Sequence, residues 1–155
     1  RRVAASRLEE QAGNVGKART ILEEARLKSP GQPRLWVEAV RLEARADNRP
    51  AAMALLAKAL QQCPASGAVW AEAIRMEPRA SQRARASDAV KRCEGDAEVV
   101  AAVSRLFWRD RKIEKARSWA NRAVALDPTL GDAWAHLLAF EKACGSEAAQ
   151  EDVLQ

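Results

Sequence analysis

The 155-residue chain has no tyrosine, two phenylalanines, one histidine, three cysteines, seven glycines and six prolines. So few turn and β-forming residues are incompatible with a sandwich or barrel of many short strands. No apolar run approaches the roughly 20 residues of a membrane-spanning helix, and mean hydropathy is −0.38. Arg1 and Arg2 lead into mixed, charged sequence without a signal-peptide core. The chain lacks an initiator Met and is expected to be a fragment of a longer protein. Cys63, Cys93 and Cys144 are widely spaced, and no CxxC or HExxH pattern accompanies His136. Neither a zinc site nor a disulfide framework is expected, and reduced thiols of a nuclear or cytosolic protein fit better. No glycine-rich phosphate loop is present either. No cofactor and no small-molecule substrate is therefore expected.

What the chain does have is alanine, charge and five tryptophans. Alanine occupies 34 positions and charged residues make up 30%. The net charge of +5 is unevenly spread: residues 75–122 carry +6 and residues 123–155 carry −5. A surface polarised in this way suits charged partners.

The strongest signal is internal repetition. Trp36-Val-Glu-Ala-Val-Arg-Leu-Glu43 matches Trp70-Ala-Glu-Ala-Ile-Arg-Met-Glu77 at an offset of 34, and Trp134 follows Val100 by 34. Ala25, Ala59, Ala89 and Ala123 precede Trp36, Trp70, Val100 and Trp134 at one constant spacing. Pro30, Pro64, Glu94 and Pro128 follow those alanines by five. Each unit reads as two amphipathic helices, with apolar residues such as Leu35, Trp36, Ala39 and Val40 on one stripe. The repeats are placed at 1–30, 33–64, 66–94, 97–128 and a truncated 131–155, whose helices would be 131–144 and 147–155. One unit is short by about one helical turn, because Pro78 ends its first helix after Glu77. A single hairpin cannot bury its apolar face alone, so stacked pairs must form the core. The predicted fold is all-α: an α-solenoid of about four and a half antiparallel helix pairs in one array.

The spacing of Trp36 with Glu43, and of Ala18-Arg19-x-Ile21-x-x-x-Ala25 with Pro30, resembles the half-a-TPR (HAT) repeat. The stretches Lys17–Arg26, Leu56–Pro64, Leu106–Ile113 and Leu130–Trp134 resemble the C-terminal repeats of the pre-mRNA-processing factor 6 family. Val100 for Trp and Glu94 for Pro depart from the HAT pattern in the third unit. The resemblance implies a nuclear, non-enzymatic scaffold of the U4/U6·U5 tri-snRNP, bridging U5 and U4/U6 proteins in pre-mRNA splicing.

Residue by residue, Trp36, Trp70 and Trp134 share one repeat position and, with Trp119, are assigned to the core rather than to base stacking. Trp108, at a position without apolar demand, is either exposed or packed with Phe107. Glu9, Glu43, Glu77 and Glu141 recur one repeat apart, too far from one another for acid–base chemistry. They are expected to be structural carboxylates. Arg19 is a candidate partner, but its equivalent in the next repeat is Met53. His136 aligns with Glu38 and Glu72 and is expected to face solvent, without a nucleophile beside it. Arg7, Arg41, Arg75 and Arg105 are equivalent. They form either a basic ladder towards a ligand or a solvated face with pairs such as Glu38–Arg41 and Glu72–Arg75. The candidate partner-binding face is Arg75, Arg79, Arg105, Arg109, Arg111 and Lys112, facing an acidic protein. Two alternatives are direct RNA binding through this basic stretch and a generic TPR-type peptide-docking adaptor.

Overall fold

The structure, a computed structural model, describes residues 1–154 and the side chains of residues 1–145. Its helices are α1 (Arg2–Gln11), α2 (Val15–Lys28), α3 (Pro33–Arg45), α4 (Arg49–Gln62), α5 (Gly67–Met76), α6 (Arg79–Arg92), α7 (Ala97–Arg109), α8 (Ile113–Leu126) and α9 (Gly131–Leu154). No strand occurs among the described residues. The chain divides into two compact units, residues 1–76 and 77–155.

In the first unit, the recurring alanines are the contact points between helices. Ala18 and Ala52 are wholly buried, and Ala25 and Ala59 nearly so. With only a methyl group at these sites, helices can approach at the short end of the usual 8–10 Å spacing. Val3, Leu22, Leu35, Ala39 and Leu42 close around the first pair, and Val40, Leu56 and Ala73 carry the core onwards. Trp36 is covered by Ala59 and Cys63 after it, with Val69 beyond. The second unit repeats the scheme with Ala116, Ala120 and Ala123 fully buried.

Three of the hairpin turns have the same construction. Gly13, Asp47 and Arg111 adopt left-handed φ values of 84°, 58° and 61°. The next amide in each case donates back across the turn, Asn14 to Glu9, Asn48 to Glu43 and Lys112 to Phe107, at 2.8–2.9 Å. This closure satisfies helix-end carbonyls that would otherwise be orphaned. The short repeat differs. α5 has 10 residues where α3 and α7 have 13. Pro78, with φ −55° and ψ 146°, stands directly before α6.

A second recurring bond ties consecutive hairpins together. The indole N–H groups of Trp36, Trp70 and Trp134 donate to the carbonyls of Pro30, Pro64 and Pro128 at 2.8–2.9 Å. The third repeat has Val100 at the tryptophan position and Glu94 at the proline position, so the backbone carbonyl there has no indole donor.

Two expectations need correction. Trp134 is 42% exposed, whereas Trp36 and Trp70 are 7% and 8% exposed. The reason lies in α9, which runs unbroken from Gly131 to Leu154 instead of turning into a separate helix over 147–155. No antiparallel partner therefore folds back over Trp134 among the described residues. Gly145 stands where Gly13 turns the first hairpin, but glycine permits a left-handed turn without imposing one. Gln155 lies outside the described residues. Trp119 is half-buried, lying against the Val100, Ala123 and Ala133 cluster with the Arg122 guanidinium 5.3 Å from its ring.

Candidate functional site

The arginine ladder is chiefly an ion-pair register between repeats. Arg7 reaches Glu38 at 2.6 Å, and Arg41 reaches Glu72 at 2.6 Å. In both cases the acid stands on the first helix of the next repeat, at the same separation in sequence. Glu38 and Glu72 are 5% and 4% exposed, so they are not the solvated positions that their alignment with His136 suggested. The expected Glu38–Arg41 pair is replaced by this longer-range one. Arg75 does pair within its own helix, with Glu72 at 2.5 Å. Buried carboxylates held this way fix register between neighbouring helices. A constant separation of opposite charges was the available sequence signal.

The second carboxylate series follows the same logic with substitutions. Arg19 holds the buried Glu43 at 2.5 Å, and Arg117 holds Glu141 at 3.0 Å. These two pairs also share one sequence separation. Where Met53 replaces the arginine, Glu77 takes Arg85 at 2.7 Å. Where Phe107 replaces the glutamate, Arg83 turns to Asp110 at 2.8 Å. That hydrogen bond leads the influences holding the Asp110 carboxyl below its ordinary range, with the Arg83 and Arg109 charges adding to it.

Arg105 departs from the ladder. The matching position on the next first helix holds His136, not a glutamate. His136 is 7% exposed, a correction to its expected solvent-facing position, and its Nε2 lies 2.8 Å from Ser104 Oγ. Ser104 donates its only hydroxyl hydrogen to the Ala116 carbonyl at 2.8 Å, so it accepts from His136 Nε2–H. This polarity is the reverse of nucleophile activation, in which the imidazole takes the serine proton. Burial first, then the Arg105 charge, push the His136 pKa down to about 4. The ring is neutral at pH 7, and Arg105 has no carboxylate partner among the described residues.

The released guanidinium lines a shallow recess of about 300 Å³ with Trp108, Arg109 and Arg111. Trp108 is wedged edge-on against Phe140 at 5.2 Å and beside His136 at 5.7 Å. These rings replace the expected partner Phe107, which faces Trp119 at 6.0 Å. Arg109 is bonded to Gln82 and lies 3.5 Å from Asp110. Of the six basic residues proposed from sequence, the recess gathers Arg105, Arg109 and Arg111. Lys112 is the exposed residue before α8, and Arg79 opens α6. Arg75 belongs to the first unit. Trp108, absent from the expected face, becomes its wall.

Buried thiols complete the inventory. Cys63, Cys93 and Cys144 are free and buried. Desolvation raises the pKa of Cys63 and Cys93, with Asp96 adding to the rise at Cys93. Both remain protonated, unreactive packing groups.

Paired antiparallel helices with small residues at the crossings and a Trp–Pro clamp between hairpins define a TPR-type α-solenoid protein. Residues 33–76 match the family model described as tetratricopeptide repeat. The APC/C hetero-tetramer Cut9–Hcn1 has a similar fold, with a TM-score of 0.69 at 11% identity, over 99% of this chain and 32% of that one. Pseudomonas aeruginosa pilF is similar at a TM-score of 0.62 and 12% identity, covering 94% of this chain and 68% of that one. By sequence, the chain belongs to the pre-mRNA-processing factor 6 family. It is 42% identical over 145 residues to pre-mRNA-splicing factor prp1 of Schizosaccharomyces pombe, which is 94% of this chain and 16% of that protein. It is 53% identical over 69 residues to human pre-mRNA-processing factor 6, 44% of this chain and 7% of that protein. The chain thus spans only a small part of these relatives.

Proposed function

We propose that the chain is a non-enzymatic, protein-binding scaffold segment of the nuclear splicing machinery. Its finer role is to bridge U5 and U4/U6 components in tri-snRNP assembly. Relatives named as splicing factors and a solenoid fold suited to extended protein contacts support this reading. The observation that carries the site is Arg105, withdrawn from the ladder and gathered with Arg109 and Arg111 at one recess. Such a cluster fits an acidic protein surface. RNA fits less well: Trp108 is pinned on Phe140, and Phe107 and Trp119 pack on each other, leaving no row of open rings for successive bases.

The test is capture of U5 and U4/U6 proteins from nuclease-treated nuclear extract by the chain and by its Arg105→Glu/Arg109→Glu variant. Capture should fall several-fold and helicity should stay unchanged, since exposed substitutions usually alter stability by under about 0.5 kcal/mol. Equal capture by the two proteins removes the recess from the assembly surface. Loss of wild-type capture on nuclease treatment transfers the role to RNA.

A further inference from the structure

We propose that Ser29 is a phosphorylation site, modified by a proline-directed kinase that uses ATP, and that its turn is built to hold the resulting phosphate. The site lies between α2 and α3 and is independent of the arginine recess.

Ser29 is the only serine or threonine in the chain that is followed by proline. It closes α2 and leads through Pro30, Gly31 and Gln32 into α3. The proline keeps the residue before it out of the helical region, and Ser29 leaves the helix at φ −138° and ψ 67°. The segment lies open to an enzyme. Leu27 is 77% exposed, Lys28, Pro30, Gly31 and Gln32 are exposed, and Ser29 is half-exposed. Its hydroxyl has no hydrogen-bond partner among the described residues. Other hydroxyls are committed: Ser6 and Ser104 are buried on the carbonyls of Ala18 and Ala116, and Thr20 is bonded to Gly16 of its own helix.

The repeat itself shows what this turn does with an anion. Ser29, Cys63, Cys93 and Asp127 occupy one position, each ending a second helix with its amide donating to Ala25, Ala59, Ala89 or Ala123. At the last of them a carboxylate is already accommodated. Asp127 Oδ1 accepts the Thr129 hydroxyl at 2.6 Å and the Thr129 amide at 3.0 Å. Those two bonds, the hydroxyl first, hold the Asp127 carboxyl below its ordinary range. Asp127 stays half-exposed although a full hairpin precedes it. Gly31 stands to Ser29 as Thr129 stands to Asp127, and its amide has no acceptor among the described residues. A phosphate oxygen on Ser29 would take that amide. The macrodipole disfavours negative charge at a helix C-terminus. α2 offsets it with Arg26 and Lys28 in its last turn, where α8 has no base and still carries Asp127. In the transfer, Ser29 Oγ bonds to the γ-phosphorus of ATP as the bond from that phosphorus to the bridging oxygen breaks. ADP leaves, and the hydroxyl proton passes to the carboxylate base of the kinase. The product carries about −1.5 to −2 charge where a neutral hydroxyl stood.

The experiment incubates the folded chain with magnesium ATP and, in separate reactions, a cyclin-dependent and a mitogen-activated kinase, both proline-directed. A peptide of residues 24–34 is the control substrate. Mass-spectrometric mapping should find one phosphate on the folded chain, at Ser29, and none on Ser29→Ala or Pro30→Ala. Pro30→Ala keeps the backbone carbonyl that accepts the Trp36 indole, so its loss of modification cannot be mistaken for unfolding. Ser118→Ala, an exposed change on α8, should be modified like the wild type. The phosphorylated chain should keep its helicity and melt no lower than the unmodified one. Its phosphorus resonance should titrate below about pH 6, the ordinary second ionisation of a phosphoserine, and the Gly31 amide proton should shift with the same midpoint. Modification of the peptide but not of the folded chain, or of neither, overturns the proposal. So does a phosphorylated chain that melts several degrees lower, because the turn then resists the anion. A phosphate that titrates at the ordinary value with the Gly31 amide unmoved overturns it as well, since the turn then holds nothing.

Discussion

In residues 1–76, every arginine of the ladder meets a buried carboxylate; in residues 77–155, the corresponding arginine meets a neutral imidazole. Arg7 and Arg41 are taken up by Glu38 and Glu72, while Arg105 is left for the surface by His136. A ring of similar reach can refill the glutamate slot because the Ser104 hydroxyl accepts its N–H. Ser6 holds the same repeat position and bonds the Ala18 carbonyl much as Ser104 bonds that of Ala116. The hydroxyl is therefore common to both units, and the histidine makes the difference. The slot stays hydrogen-bonded and its charge is dropped. One repeat register thus serves two ends, holding helices in phase in one unit and exposing a cation in the other.

The tryptophans offer the largest contrast between the units. Trp36→Ala should cost about 3–5 kcal/mol, the usual loss for a buried aromatic, and Trp70→Ala should cost a similar amount. Trp134→Ala should cost no more than about 1–2 kcal/mol, because that ring is already 42% exposed and surface substitutions away from packed sites are mild. All three variants lose the same indole bond to a proline carbonyl, so that bond's share cancels. Thermal or denaturant unfolding of the variants measures the difference. Equal losses at Trp36 and Trp134 would mean that the bond, not the cover, is what matters.

A second, smaller effect separates the units by pH. The His136 pKa is depressed from 6.5 to about 4, so folding favours the neutral ring. Above pH 6.5 the ring is neutral in both states and contributes no pH dependence. As pH falls below 6.5, the unfolded chain takes up a proton that the folded protein refuses. Stability then drops, by up to about 3 kcal/mol when pH 4 is reached. His136 is the only histidine, so its ring resonances report the titration without ambiguity. A midpoint near 6.5 would break the comparison, and Arg105→Gln should move the midpoint upwards by removing the neighbouring charge.

The helices were readable because their signal is local and repeated. Apolar spacing and alanine phase recur in every pair, and Pro78 marks the short helix by its own covalent constraint. The repeat slot does not fix the exposure of Trp134, because burial belongs to the neighbour that covers a ring. The burial of His136, Glu38 and Glu72 is hidden for a related reason: a polar or charged residue suggests exposure, although each acid has an arginine at the matching position of the preceding repeat. The recess was half legible. Arg105, Arg109 and Arg111 stand close in sequence, but their convergence depends on a left-handed turn and on Trp108 of α7 finding Phe140 of α9.

The turn residues give the smallest and most discriminating contrast. Gly13, Asp47 and Arg111 share one left-handed geometry, so their differences in stability isolate the side chain. A Cβ at Gly13 meets nothing within 4 Å. Gly13→Ala should therefore cost about 1 kcal/mol from backbone conformation alone. Arg111→Gly should run the other way and stabilise by about 0.5–1 kcal/mol, the relief of the left-handed strain less the added entropy of a glycine in the unfolded chain. Asp47→Gly should gain less, since a short polar side chain tolerates this region better than a long one. Denaturant midpoints at constant slope would rank the three. If Arg111→Gly gains nothing, the arginine sits in its turn without strain and its retention there needs no functional explanation. If it gains stability while capture of splicing proteins from extract falls, the second unit gives up stability at this turn to hold an arginine there.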